Sequence, residues 1–203
     1  MAFINRKQLD FEVSSQVKTL RDLAKKEVRD KIFLPAVMEM QTDFEFDDVT
    51  QEIQGGAGAP NITKSLAGTE NLYSFIGFDA NGPDPLEPIR QSLIEGGPSG
   101  PRLKYIRATQ RQFRYEFRVY APDLENIYRD TPIPWLDGAS WADRVEKGIP
   151  GLSKYLRRMN TKNSRSGGGI QVKKNIRSAK YRPQPYLRAI FNRFLSRFGN
   201  RNI

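Results

Sequence analysis

The chain has 203 residues, 38% of them hydrophobic, enough for one sizeable core, and no apolar run is long enough to span a membrane. It contains no histidine and no cysteine, which excludes Ser-His and Cys-His nucleophile pairs, disulfides and ordinary zinc sites. The net charge of +10 combines an acidic body with a C-terminal quarter that holds 15 basic and no acidic residues after Glu146, a polarity that suits contact with nucleic acid or with an acidic neighbour in an assembly.

The N-terminal region predicts a long amphipathic helix from Asp10 to about Met40. Its apolar residues recur every three or four positions, at Val13, Val17, Leu20, Ala24, Val28 and Ile32. Such spacing places them on one face of a helix. Asp10 is the expected N-cap, and Pro35 is expected to end or kink the helix.

Residues 41–70 are polar and are interrupted by the glycine-rich stretch QGGAGAP, so we expect a long loop or arm there. The stretch lacks the Gly-Lys-Ser/Thr ending of a phosphate-binding loop, which favours a simple connection over a nucleotide site.

An acidic sequence, TDFEFDD, opens this region and offers four carboxylates for a magnesium ion. They belong to Asp43, Glu45, Asp47 and Asp48. A magnesium nuclease would need two or three of them to converge on one point. Their alternation with two phenylalanines favours instead a strand or arm with a solvated edge.

Two short elements are expected before the sheet. The sequence NLYSFIGF, residues 71–78, predicts a buried strand or a turn of helix, between which periodicity does not decide. The sequence GPDPLEPIRQSLIEGG predicts a helix that begins at its prolines and stops at Gly96.

The clearest strand pattern lies in QFRYEFRVY, residues 112–120. Aromatic residues and valine alternate there with arginine and glutamate, a period of two that indicates a strand. Residues 102–108, RLKYIRA, are the expected antiparallel partner. Since the aromatic face is expected to look inward, core packing is favoured over an RNA-binding sheet that stacks bases on exposed rings.

The region from residue 120 to residue 169 is expected to be a second excursion. Residues 121–138 are rich in proline and aspartate and predict an irregular connection. A helix capped by Ser140 is expected to run to Met159, with an interruption near Gly148. A loop at 160–169 and a short strand at 170–176 are expected to follow.

The basic residues from the second half of this helix to the start of the last one are the candidate contacts to a polyanion or to another subunit. They are Lys154, Arg157, Arg158, Lys162, Arg165, Lys173, Lys174, Arg177, Lys180 and Arg182.

A final helix is expected to begin at Pro185 and to carry a broad apolar stripe. The stripe consists of Tyr186, Leu187, Ile190, Phe191, Phe194, Leu195 and Phe198. Burial of such side chains contributes on the order of 1.5–3 kcal/mol each. Packing against the protein's own sheet or a neighbouring subunit is favoured over a membrane-surface helix. Arg188, Arg193 and Arg197 are expected off the stripe.

Together these elements predict a single α+β domain over residues 1–203, in which a small antiparallel sheet packs with a long N-terminal helix and a C-terminal amphipathic helix. The loops at about 41–70 and 120–169 extend from this domain.

The order of elements, with the sequences TENLYSFIGF and PQPYLRAIF, resembles the small neck and tail-completion (minor tail) proteins of tailed bacteriophages. This resemblance implies a subunit of a ring at the head–tail connection, found in the virion and in the host cytoplasm during assembly. Its expected partners are further copies of itself, neighbouring neck or tail proteins, and DNA in the channel. No catalytic residue, cofactor or metal is implied, and no membrane. The alternative is a non-catalytic nucleic-acid-binding protein that uses the basic C-terminal quarter.

Overall fold

The computed structural model describes residues 6–66, 71–109, 114–134, 136–148 and 182–199. Helices form most of this part of the chain, together with two separate two-stranded antiparallel sheets. A long N-terminal helix and a C-terminal amphipathic helix are both present, so the predicted α+β class is confirmed.

The N-terminal helix begins earlier and continues further than expected. Helix α1 spans Arg6–Val28, a π-helical turn spans Arg29–Phe33, and helix α2 spans Leu34–Glu45. The expectation that Asp10 caps the start was therefore wrong. Pro35 does not end the helix, because the wider π turn precedes it: the N–H of Leu34 donates to the carbonyl five residues back, at Arg29. Pro35, which has no N–H to donate, thus lies at the junction between the π-helical turn and helix α2.

The described part of the region expected to be a loop or arm, residues 41–66, contains helical segments and contributes to the core. Helix α3 spans Asp48–Gln54, and a 3₁₀ turn follows at Gly56–Gly58. The side chain of Asp47 accepts a hydrogen bond from the N–H of Val49 and caps α3. The phenylalanine at position 44, expected on a strand, is fully buried near the end of α2.

The stretch 71–78 forms a helical turn, one of its two predicted forms. Helix α4 spans Leu72–Ile76, with the Asn71 side chain as its N-cap. It ends at Gly77, whose φ of 85° is in the left-handed region that favours glycine. Helix α5 spans Glu87–Ser92, within the predicted segment but four residues short of its glycine stop.

The predicted hairpin is present as strands β1 (Arg102–Thr109) and β2 (Arg114–Tyr120), paired antiparallel with an irregularity near Ile106. Its base packs against the core, but the rings of Tyr105 and Phe117 are only half-buried and meet edge to face with centroids 5.6 Å apart. Among the side chains that the structure describes on this face, Leu103 and Val119 at the base pack against the core as expected, whereas Tyr105 and Phe117 do not pack fully inward.

The connection after β2 is more regular than expected. Helix α6 spans Leu124–Asp130, and strands β3 (Pro132–Ile133) and β4 (Leu136–Ser140) form the second hairpin. Helix α7 spans Trp141–Lys147 and is capped by Ser140 as predicted. It ends at Gly148, where an interruption was expected. The continuation to Met159, the loop at 160–169 and the strand at 170–176 lie outside the described residues.

The last helix, α8 (Leu187–Ser196), is buried in the core as a packing element, but it packs on a helix and not on the predicted sheet. Its stripe packs against α2, and the ring of Phe194 meets that of Phe33 with centroids 6.3 Å apart. Of the seven predicted stripe residues, Leu195 is the exception, because its side chain is 39% exposed. It follows Phe194 directly, and one residue turns a helix by about 100°. The buried members are Tyr186, Leu187, Ile190, Phe191 and Phe194, with Phe198 partly buried.

Within the residues that the structure describes, no helix has the combination of length and hydropathy needed to cross a membrane.

Two neighbouring residues of α8 provide a matched test of this packing. Phe194→Ala should lower the free energy of unfolding by about 3–5 kcal/mol, because it removes a fully buried ring. Leu195→Ala, on the exposed side, should change it by less than about 1 kcal/mol. Urea unfolding followed by circular dichroism measures both, and equal effects would contradict the assigned orientation of α8.

The buried hydroxyl of Tyr186 predicts a pH-dependent difference in stability. This hydroxyl lies 2.9 Å from that of Thr50, and burial raises the pKa of Tyr186 well above its ordinary value. Tyr186→Phe should cost about 1 kcal/mol at neutral pH. Above pH ~10 the unfolded tyrosine ionises while the folded one stays protonated, so the wild-type advantage should shrink with rising pH. Urea titrations of both proteins from pH 7 to pH 11 test this; a constant difference would contradict it.

Candidate interaction surfaces

The predicted polyanion contacts fall almost entirely in residues 149–181, which lie outside the described residues. The exception is Arg182, whose side chain is exposed and whose N–H donates to the carbonyl of Ser65 over 3.1 Å. The contacts outside the described part are Lys154, Arg157, Arg158, Lys162, Arg165, Lys173, Lys174, Arg177 and Lys180.

The two ends of this stretch meet at one point of the fold. A β-carbon built on Gly148 would lie 2.8 Å from Cγ of Pro183. One residue further on, the N–H of Gln184 donates to the carbonyl of Val145 over 3.1 Å. The described residues on either side of positions 149–181, which we call the basic excursion, therefore lie together beside α7. Sequence patterns did not predict this contact.

The three arginines of α8 face acidic residues of the same chain. Nε of Arg193 lies 3.4 Å from a carboxylate oxygen of Asp43, and Arg197 pairs with Glu39 and with Asp43. Both acids lie on α2, so these ion pairs run alongside the apolar contact between the two helices. Their side chains are partly exposed, so each pair contributes little stability by itself; their effect is on how α8 is oriented.

Glu146, the last acidic residue of the chain, holds three elements together. Its carboxylate accepts from the hydroxyl of Tyr128 on α6 over 2.7 Å and from the N–H of Arg188 at the start of α8 over 2.7 Å. Nε of Arg188 lies 3.1 Å away, and the Glu146 side chain is only 7% exposed. Burial, together with the Glu146 carboxylate, raises the pKa of Tyr128, which keeps its hydroxyl protonated as a donor. We call these three residues the Glu146 cluster.

Residues 55–60 of the glycine-rich stretch wrap around an amide. The side-chain NH₂ of Asn71 donates to the carbonyls of Gly56, Ala57 and Ala59 at 2.9, 3.2 and 2.7 Å. A phosphate-binding loop would present N–H groups to its ligand, whereas here carbonyl oxygens converge on the chain's own amide. This arrangement fits a structural connection.

A buried carboxylate links the segment that follows this stretch to helix α4. Glu52 on α3 is fully buried and accepts from the N–H of Thr63 at 2.7 Å and from the N–H of Leu72 at 2.6 Å. Charge-assisted bonds to backbone donors compensate for removing a carboxylate from water. The residue therefore ties residues 60–66 to α4, a role that sequence reasoning missed.

The acidic sequence TDFEFDD does not present its carboxylates together. Asp43 faces α8, Glu45 accepts a bidentate pair from Arg90 on α5, and Asp47 caps α3. Burial raises the pKa of Asp47 above its ordinary value. Within the residues that the structure describes, no three acidic side chains are grouped as a metal site requires.

Three exposed apolar side chains lie close together in sequence on α1. Val17, Leu20 and Leu23 are 37, 47 and 54% exposed, and every residue from 14 to 20 is exposed. Further along the helix, the ammonium of Lys25 lies 5.1 Å from the centre of the Tyr105 ring on β1. Residues 14–28 of α1, which we call the arm, thus touch the hairpin near one end and are uncovered towards the other.

Comparison of the chain with protein-family models, curated proteins and solved structures yields no match.

The Glu146 cluster can be tested by removing one charge. Glu146→Gln should lower the free energy of unfolding by about 1–3 kcal/mol, because an amide NH₂ then replaces an acceptor facing buried donors. Glu125→Gln on the exposed side of α6 is the matched control, with an expected change below about 0.5 kcal/mol. If both variants unfold at the same urea concentration, the cluster does not hold α8 in place.

Proposed function

We propose that this protein is a ring-forming structural subunit of the neck (head–tail connection) or of the tail-completion apparatus of a tailed bacteriophage. It acts in the virion, after assembly in the host cytoplasm, and performs no chemistry. The observation that carries this proposal is the arm, since three large apolar side chains on one protruding helix are typical of a surface that another protein covers.

The reach of α1 supports contact between subunits. At 1.5 Å per residue, its 23 residues extend about 35 Å. In the part of the helix whose burial is described, residues 14–28, no residue is buried, and the next buried residue along the chain is Phe33. A helix that adds so little to its own core is more useful to an assembly than to an isolated monomer.

The distribution of charge supports the same proposal. The arginines of α8 are matched by Glu39, Asp43 and Glu146 within the chain, so the basic charge that remains for partners lies chiefly in the basic excursion. In a ring, these residues would meet the acidic body of a neighbour or line a channel through which DNA passes. The expected partners are further copies of the chain and neighbouring neck or tail proteins.

A specific observation also favours the second candidate, a cytoplasmic, non-catalytic nucleic-acid-binding protein. The sequence from Lys154 to Arg182 contains no acidic residue, and the described residues that flank positions 149–181 lie in contact with each other. Lysine and arginine side chains that neutralise phosphates supply most of the sequence-independent affinity for nucleic acid.

Size-exclusion chromatography with light scattering should show the purified protein as a closed oligomer with a defined number of subunits. The second candidate instead requires a monomer whose affinity for bulk DNA or RNA falls steeply with salt. Under the second candidate, Lys173→Glu with Lys174→Glu should reduce that affinity, because two phosphate contacts are lost. A monomer at all concentrations would overturn the ring proposal.

A further inference from the structure

The arm combines apolar and basic side chains on an uncovered helix surface. Val17, Leu20 and Leu23 share one side of the helix, and the exposed Lys18 and Lys26 lie about 100° and 60° around it from Val17 and Leu23 respectively. From residue 14 to residue 33 the sequence holds six basic and three acidic residues. A partner for this surface must therefore offer apolar side chains with acidic side chains beside them.

One groove on the body has these properties. It has a volume of about 370 Å³ and lies between the segment around α5 and the end of α6. Prolines supply its apolar lining and acidic residues its charge; they are Pro83, Pro88, Pro98, Asp84, Glu87 and Asp130. We call it the proline groove.

The carboxylates of the proline groove retain capacity for further partners. Asp84 accepts from Arg90 over 2.6 Å, Glu87 accepts from Gln91, and Asp130 lies 3.5 Å from its neighbour Arg129. All three acidic side chains remain exposed, and a carboxylate accepts several hydrogen bonds. The groove is thus negatively charged and open to a cationic helix.

The arm does not fill the proline groove of its own chain, because residues 14–20 are all exposed. We propose that the arm of one copy docks in the proline groove of the next copy. The apolar residues of the arm would lie against the prolines, and Lys18 and Lys26 would approach Glu87 and Asp130.

Two different surfaces meet in this contact, so the association is head to tail. Such heterologous contacts generate closed rings when the rotation between neighbours closes. The inference rests on the proposed ring and identifies the interface that would build it. Because both sides of the contact belong to the same chain, substitutions that exchange the charges of the arm and the groove can first weaken the contact and then restore it.

A charge swap tests the pairing. An arm variant, Lys18→Glu with Lys26→Glu, and a groove variant, Glu87→Lys with Asp130→Lys, should each associate roughly tenfold more weakly than wild type or worse. Mixing the two variants should restore association, because the acidic arm then meets a basic groove and the basic arm an acidic one. Light scattering measures the oligomer, and circular dichroism verifies that each variant is folded.

Engineered cysteines provide a second readout that does not depend on charge. The chain has no native cysteine, so disulfides can form only at introduced positions. Leu20→Cys combined with Gln91→Cys beside the groove should give a ladder of crosslinked multimers under mild oxidation. Either single variant should give none.

The outcomes separate this inference from the proposed function. Dimers from Leu20→Cys alone would show that arms pair with arms and would overturn the inference. An oligomer that both charge variants leave intact would also overturn it while the ring proposal stands. A wild-type protein that is monomeric throughout would overturn both.

Discussion

The fold depends on the docking of α8 against α2, two helices about 150 positions apart in the chain. The contact is apolar at its centre, where the rings of Phe194 and Phe33 meet. At its edges Arg193 and Arg197 face acidic residues of α2. Burial of the large side chains provides most of the stabilisation, on the order of 1.5–3 kcal/mol each. The surrounding charges define how α8 lies on α2.

In this arrangement, some of the basic residues of the C-terminal quarter pair with acidic residues of the same chain. Part of its charge serves the fold: the Glu146 cluster uses an arginine to hold α6, α7 and the start of α8 together. Nine of the fifteen basic residues after Glu146 lie in the basic excursion, outside the described residues. Charge asymmetry along a sequence therefore overstates the charge presented to another molecule whenever the acidic counterpart lies elsewhere in the same chain.

Sequence periodicity predicted the elements with strong local patterns and missed those defined by distant contacts. The β1–β2 hairpin and α8 were recognisable because alternation and the i, i+4 spacing persist over many residues. Helix α3 was not, since only Val49 and Ile53 are apolar in it, and its partners include the distant Tyr186, whose hydroxyl contacts that of Thr50, 136 positions away. The role of Glu52 and the acidic partners of the α8 arginines were hidden for the same reason.

The contact between Gly148 and Pro183 has a consequence for how the sequence between them can vary among related proteins. The described fold fixes the distance between these two residues and thereby both ends of the intervening stretch. Closing a chain segment costs entropy that rises only with the logarithm of its length, about 0.6 kcal/mol for a doubling. Relatives of this protein can therefore differ widely in the length and composition of that stretch while the helices beneath it keep their packing.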